Sequence, residues 1–358
     1  MTISYHSGER IQATSTDFGT DGAGIPAISG GWKEVGRTTL GSAGDTINVT
    51  GLADKRYLMI LKSFGGSTGG NDRLNGDSGS NYAGRYGVSG GSDYTTVNKT
   101  AYPWSNAGYS STPNFIVEYI SNLAGKEKLI IRHWVYQYLA GATDAPRNAI
   151  GTFSKWANTT DAINAVSMYS QTTDWDSGSE IVVLGWDEND THTDNFWEEL
   201  ANVNATGSSN TLSTGTFTAK KYLWVQIYAD PDGSSAVNPE IRLNSDSGSN
   251  YARRAASNGG SYSASVSQTQ MAYANTGTAV PVICNMFMVN KSANEKLCFL
   301  QSGEPNTAGA GNAPKRMEGV YKWANTSDQC TEIEINQHSS ISSNNFGSNS
   351  FIKVWGSD

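Results

Sequence analysis

Histidine, cysteine and paired acids, the side chains that most often carry catalysis or bind metals, are sparse in this chain. Asp174 and Asp176 flank a tryptophan, but two acids this close in a loop are more often solvated than arranged for glycoside hydrolysis. The sequence also lacks a nucleophile elbow and a phosphate-binding loop. We therefore expect no enzymatic activity, no cofactor and no metal. The four histidines share no metal-site spacing with cysteine or acidic residues; they are His6, His133, His192 and His338.

Three aromatic residues on a loop with proline and glycine are the candidates for ligand binding. Tyr102, Trp104 and Tyr109 could form a stacking platform for a sugar ring, because aromatic faces bind C–H surfaces. An aromatic plug beneath a long loop, or a contact with another subunit, accounts for the same residues, and we favour these two alternatives. A carbohydrate-binding, lectin-like module that acts in adhesion is therefore the alternative function that we keep for the chain.

A run of oxygen-bearing side chains, Asp-Ser-Gly-Ser-Asn at residues 77–81, has the donors of a calcium loop. It lacks the acidic residue count and the terminal glutamate that a Ca²⁺ loop needs. The same residues favour a hairpin turn stabilised by Asp77, with Gly79 supplying a positive φ. We expect that turn, with Arg73 paired to a nearby acid or carbonyl group.

This run belongs to a segment that occurs twice. RLNGDSGSNYA at residues 73–83 returns 169 residues later as RLNSDSGSNYA, with ten of eleven positions identical. KWANTTD at residues 155–161 likewise returns as KWANTSD at residues 322–328. A repeat of this length is the size of a domain. The sequence therefore predicts an N-terminal arm at residues 1–31, a first copy at 32–190 and a second copy at 191–358.

The composition indicates the fold of each copy. The chain has 39 glycines, 17 tyrosines and 10 tryptophans but only 16% charged residues, which suits short strands joined by tight turns. Nine to eleven short strands per copy, without a convincing helix, predict an all-β protein of two tandem antiparallel β-sandwiches. A jelly roll is the expected arrangement for this length.

One predicted strand is apolar on both faces. Tyr222, Trp224 and Tyr228 lie on the face that a monomeric sandwich would leave polar. We expect this aromatic face to contact another subunit, so that the protein forms a homo-oligomer.

Charge and cysteine content restrict the partners and the environment. The net charge of -8 and the absence of a basic block argue against nucleic acid. No segment is apolar enough for a signal peptide or a membrane span, which predicts synthesis and folding in a cytoplasm. Cys284, Cys298 and Cys330 align with isoleucines of the first copy, so we expect them to be reduced and buried.

Several segments together give the chain a resemblance to a family of structural proteins of tailed phages. They are SYHSGERIQATSTD, GWKEVGRTTL, the RLN-DSGSN-YA segments, the EKL hairpin, AGAGNAPKR, KWANTSD and VVLGWD. The resemblance implies a β-sandwich virion component, in the capsid decoration or the tail fibres, that is assembled in the host cytoplasm. It favours a trimer that contacts other virion proteins. Host surface glycans are the partners expected under the carbohydrate-binding alternative. It supplies no catalytic residues.

Overall fold

A computed structural model gives the fold of residues 31–358, except for residues 68, 103–111, 188–189, 191–194, 208, 275–278 and 308. Residues 1–30 of the predicted arm lie outside this range. The described residues form antiparallel β-sheets, and their only helical element is a 3₁₀ turn at Ser339–Ile341. The predicted all-β class with sandwich domains is confirmed.

The first copy has eleven strands in the described range, in one sheet of eight strands and one of three. The large sheet has the order β1-β11-β3-β7-β8-β9-β5-β6 and the small sheet the order β2-β10-β4. The strands are β1 (Lys33–Thr39), β2 (Thr46–Thr50), β3 (Tyr57–Phe64), β4 (Gly70–Leu74), β5 (Tyr82–Tyr86), β6 (Tyr94–Lys99), β7 (Asn114–Ser121), β8 (Lys128–Tyr136), β9 (Arg147–Trp156), β10 (Ala165–Ser170) and β11 (Glu180–Trp186).

The second copy repeats this arrangement and adds one short strand, β18. Its large sheet has the order β12-β23-β14-β19-β20-β21-β16-β17 and its small sheet the order β13-β22-β15-β18. The strands are β12 (Glu198–Asn204), β13 (Thr211–Ser213), β14 (Tyr222–Ala229), β15 (Pro239–Leu243), β16 (Tyr251–Ser257), β17 (Ser263–Gln268), β18 (Met271–Ala272), β19 (Val282–Val289), β20 (Lys296–Glu304), β21 (Lys315–Trp323), β22 (Ile333–Gln337) and β23 (Phe351–Ser357).

In both copies the strands pair in a nested order. β1 pairs with β11, β2 with β10 and β5 with β9, so the first strands of the copy meet the last, as in a jelly roll. Alternation in the sequence places the core: Ile333 and Ile335 of β22 are fully buried between the sheets, whereas Glu334 faces outward and is partly exposed. Each copy thereby encloses its own apolar core.

The repeated RLN-DSGSN-YA segment connects the two sheets of a copy, which corrects the predicted hairpin. Its first strand, β4, belongs to the small sheet, and β5 belongs to the large sheet. The positive φ angles occur at Asn75 (54°) and Gly76 (66°), where the chain turns, and not at the predicted Gly79. The hairpin prediction was wrong because strand propensity does not reveal which sheet a strand joins.

Hydrogen bonds explain why this segment and the KWANT segment occur together in both copies. The carboxylate of Asp77 accepts from the Gly79 amide at 2.7 Å, from Asn81 Nδ2 at 2.9 Å and from Trp156 Nε1 at 2.6 Å. In the second copy Trp323 Nε1 donates to Asp246 at 2.7 Å. The carboxylate thus ties the turn to β9. As expected, the Arg73 guanidinium donates to a carbonyl, that of Thr100, at 3.1 Å.

The three cysteines are free and buried, as predicted. Burial raises the pKa of each thiol, to about 12 for Cys330, which keeps it protonated and unreactive at neutral pH. We expect a thiol reagent to leave the native protein unmodified and to label three thiols after unfolding in guanidinium. Fewer than three thiols in the denatured, unreduced protein would contradict this expectation.

Candidate functional site

The large sheets of the two copies pack against each other and form a third apolar cluster. Phe115 of the first copy lies between Tyr222 and Phe299 of the second, with ring centroids 6.1 and 5.6 Å away. His133 stacks on Phe299 at 5.5 Å, and burial lowers the pKa of this histidine to about 4, so it is neutral in the interface. The two sandwiches are therefore joined by a shared core.

This shared core corrects the prediction for Tyr222, one of the three aromatic residues on this face of β14. Tyr222 is fully buried within one chain, and Trp224 packs on Trp197 and Phe287 of its own copy at the edge of the same cluster. Tyr228 is partly buried and stacks on Phe351. Tyr222 cannot contact another subunit, because it is already buried against the first copy of the same chain. The sequence showed that this face needs a partner, but not that the partner is intramolecular.

A buried acid fixes the relative position of the copies. Glu180 of the first copy accepts a hydrogen bond from the Tyr222 hydroxyl at 2.7 Å and lies 3.1 Å from Lys221 Nζ. Burial alone would raise the pKa of Glu180, but hydrogen bonds from Thr39 and Tyr222 and the charge of Lys221 outweigh it and hold the pKa below its ordinary value. Glu180 is thus an ionised acceptor in the interface.

The contact between the copies is not symmetric, and it leaves one apolar area open. Leu129, Ile131 and Phe153 are 58%, 39% and 53% exposed on the large sheet of the first copy, where Ile131 and Phe153 are directly paired. We call these three residues the open patch. Their counterparts in the second copy are at most 5% exposed, because they pack against the first copy. Those counterparts are Leu297, Phe299 and Val320.

Tyr102, the first residue of the predicted sugar platform, is fully buried. Its hydroxyl donates to Glu118 Oε2 at 3.1 Å, and burial raises its pKa well above the ordinary value, so the phenol stays protonated. A stacking face for a sugar must be exposed, so Tyr102 is excluded from such a platform, and the plug alternative describes it correctly. Trp104 and Tyr109 lie outside the described residues.

Tyr102 caps a cluster of four charged side chains inside the core of the first copy. Lys62 and Arg132 face Asp72 and Glu118, and all four are at most 3% exposed. Lys62 Nζ lies 3.0 Å from each carboxylate, Arg132 Nε donates to Glu118 at 2.6 Å, and Arg132 also donates to Asp72. The two positive charges offset the two negative ones, which makes complete burial tolerable.

The second copy has an apolar residue at each position of this charged cluster. The strand registers align Lys62 with Ile227, Asp72 with Ile241, Glu118 with Met286 and Arg132 with Leu300. All four replacements are fully buried. The sequence of either copy alone does not reveal the cluster, because its members lie on four different strands. An alignment of the two copies shows the cluster, because charged residues of the first copy align with apolar core residues of the second.

The second copy has a polar cleft of about 620 Å³. It lies between the ends of β20 and β21 in the large sheet and the strands β15 and β18 of the small sheet. Two almost fully buried acids, Glu240 and Glu304, line it together with Arg253, Lys315 and His338. The sequence does not reveal these five residues as a group, because they come from five separate segments.

Comparisons with known proteins add little to this geometry. No family model and no curated protein matches the chain. Among solved structures, the receptor-binding domain of botulinum neurotoxin C/D mosaic serotype aligns with 9% identity and a TM-score of 0.16, over 92% of this chain and 90% of that one. Domains LG4-5 of the mouse laminin alpha1 chain align with 10% identity and a TM-score of 0.15, over 90% of each chain. These scores are below those of proteins that share a fold.

No helix in the described range is long and apolar enough to cross a membrane.

Proposed function

We propose that this protein is a non-enzymatic structural component of a tailed-phage virion and acts through contacts between subunits. The open patch is the observation that carries the proposal. The resemblance of the sequence to phage structural proteins supports the virion as the place of assembly, in the capsid decoration or the tail fibres. The partners are further copies of the chain, with a trimer favoured by the resemblance, and other virion proteins.

The open patch of Leu129, Ile131 and Phe153 supports a contact between subunits for two reasons. Contiguous apolar side chains on a sheet face are costly to leave in water and mark interaction surfaces. The same three positions of the second copy are already used to bind a β-sandwich of the same kind. Since Tyr119, which is paired with Ile131, packs at the margin of the shared core, the open patch continues an interface that the chain already forms.

We expect light scattering coupled to size exclusion to find a homo-oligomer at micromolar concentration, and the double variant Ile131→Ser/Phe153→Ser to dissociate. The loss of two large apolar contacts at the centre of an interface should weaken self-association by a factor of about 100 or more. The thermal unfolding of the variant monitors the fold separately from assembly.

Val266→Ser is the matched control, because Val266 is also apolar and 39% exposed but lies on β17, outside the open patch. It should leave the oligomer intact. A wild-type protein that stays monomeric over this concentration range would refute the proposal, and so would an Ile131→Ser/Phe153→Ser variant that assembles like the wild type.

Adhesion to host glycans remains the second candidate function. The burial of Tyr102 removes its original basis at the aromatic loop. The polar cleft of the second copy supplies a different basis.

A further inference from the structure

The polar cleft exists because the second copy lacks two aromatic residues that close the same end of the first copy. Trp134 and Tyr136 of β8 are 2% and 0% exposed, and their rings stack with centroids 4.8 Å apart. Trp134 Nε1 also donates to Asn114 at 3.0 Å, which anchors the indole. The strand registers place Ser302 and Glu304 of β20 at the two aromatic positions. The smaller side chains leave open in the second copy a space that rings fill in the first.

The residues that line this opening are charged as well as small. Glu304 is 7% exposed with Lys315 Nζ 3.1 Å from its carboxylate, and Glu240 is 4% exposed with His338 Nε2 at 3.9 Å. Burial raises the pKa of Glu240. Placing carboxylates at the end of a core costs free energy that an aromatic plug does not cost. This difference between two otherwise matching copies indicates a binding function for the cleft.

We propose that the cleft of the second copy binds a neutral saccharide. Its charged side chains already have partners within the protein: Lys315 for Glu304, the Gln270 amide for Glu240 and the Ala272 carbonyl for Arg253. An ionic ligand would have to displace these partners. A hydroxyl group both donates and accepts, and can therefore bridge a carboxylate and an ammonium group without separating them. The volume suits a small ligand, and Val282, Ala272 and Met317 add an apolar wall for the C–H face of a sugar ring.

Within the site, Glu240 and Glu304 accept hydrogen bonds from sugar hydroxyls, and Lys315 donates hydrogen bonds to sugar hydroxyls. Arg253 is held at the cleft wall, because its Nη1 donates to the Ala272 carbonyl at 2.8 Å, and it orients the wall more than it binds. The site is separate from the open patch, which lies on the other copy, so binding and assembly can be tested independently.

The test begins with the intact protein on an array of neutral and acidic oligosaccharides, followed by calorimetry with the best neutral glycan. We expect saturable binding by the wild type. Ser302→Trp/Glu304→Tyr, which refills the cleft with the residues of the first copy, should weaken binding at least about 100-fold. Glu240→Gln keeps the shape of the side chain and removes its charge, and should weaken glycan binding about tenfold. This variant tests the role of the cleft even if the refilled variant does not fold.

Three outcomes would overturn the proposal. The first is that the protein binds no neutral glycan, and the second is that it binds acidic glycans alone. The third is that binding survives both in the refilled variant and in Glu240→Gln. The oligomeric mass of each variant is measured in the same samples. Loss of glycan binding with the mass unchanged assigns the effect to the cleft, whereas a changed mass with binding retained concerns the assembly proposal.

Discussion

Arg132→Leu will lower the free energy of unfolding by about 3 to 5 kcal/mol, although leucine is the residue at the equivalent position of the second copy. The arginine is 3% exposed and contacts both Asp72 and Glu118. Without it, two buried carboxylates face one ammonium group, that of Lys62, inside the core. A charge that has lost its counter-charge in such a place is far more costly than an apolar side chain of similar size.

The second copy provides the control for this prediction. The quadruple variant Lys62→Ile/Asp72→Ile/Glu118→Met/Arg132→Leu transfers the apolar core of the second copy into the first. Because it removes whole ion pairs, we expect its stability to return to within about 1 kcal/mol of the wild type or to exceed it. Guanidinium unfolding followed by circular dichroism and tryptophan fluorescence measures both variants. A quadruple variant no more stable than Arg132→Leu would show that the charges themselves stabilise the fold.

Phe299→Ala will destabilise the protein by about 3 to 5 kcal/mol, because it opens a cavity in the core that the two copies share. The ring is 5% exposed and lies 5.5 to 5.6 Å from His133, Phe115 and Phe287. Removing it deletes contacts on both sides of the interface at once. The copies should then unfold less cooperatively, with a smaller denaturant dependence.

The matched control is Ile131→Ala at the equivalent position of the first copy. Ile131 is 39% exposed in the single chain, so we expect a loss of less than about 1 kcal/mol when measured on the monomer. Denaturant unfolding of the two variants at equal concentration gives the comparison. Similar losses for Phe299→Ala and Ile131→Ala would contradict the asymmetric contact between the copies.

Much of the fold follows from the sequence because it depends on local patterns and on the repeat. The alternation in β22 and the clustering of glycine and asparagine between apolar runs determine strands and turns within a few residues. The match of the three cysteines with isoleucines identified them as core residues, since both positions require an apolar side chain of limited size. The all-β class needed no long-range information.

The tertiary structure alone decided which faces meet and which charges are buried. The sequence indicated that Tyr222 needs an apolar neighbour, but a hydrophobic surface does not specify whether that neighbour belongs to the same chain. Likewise Lys62, Asp72, Glu118 and Arg132 look like solvated residues until the strand pairing brings them together. Apolar alternation and strand propensity are features of the local sequence. Contacts between distant strands depend on sheet order and register. That is why the charged cluster, the polar cleft and the open patch appeared only in the folded chain.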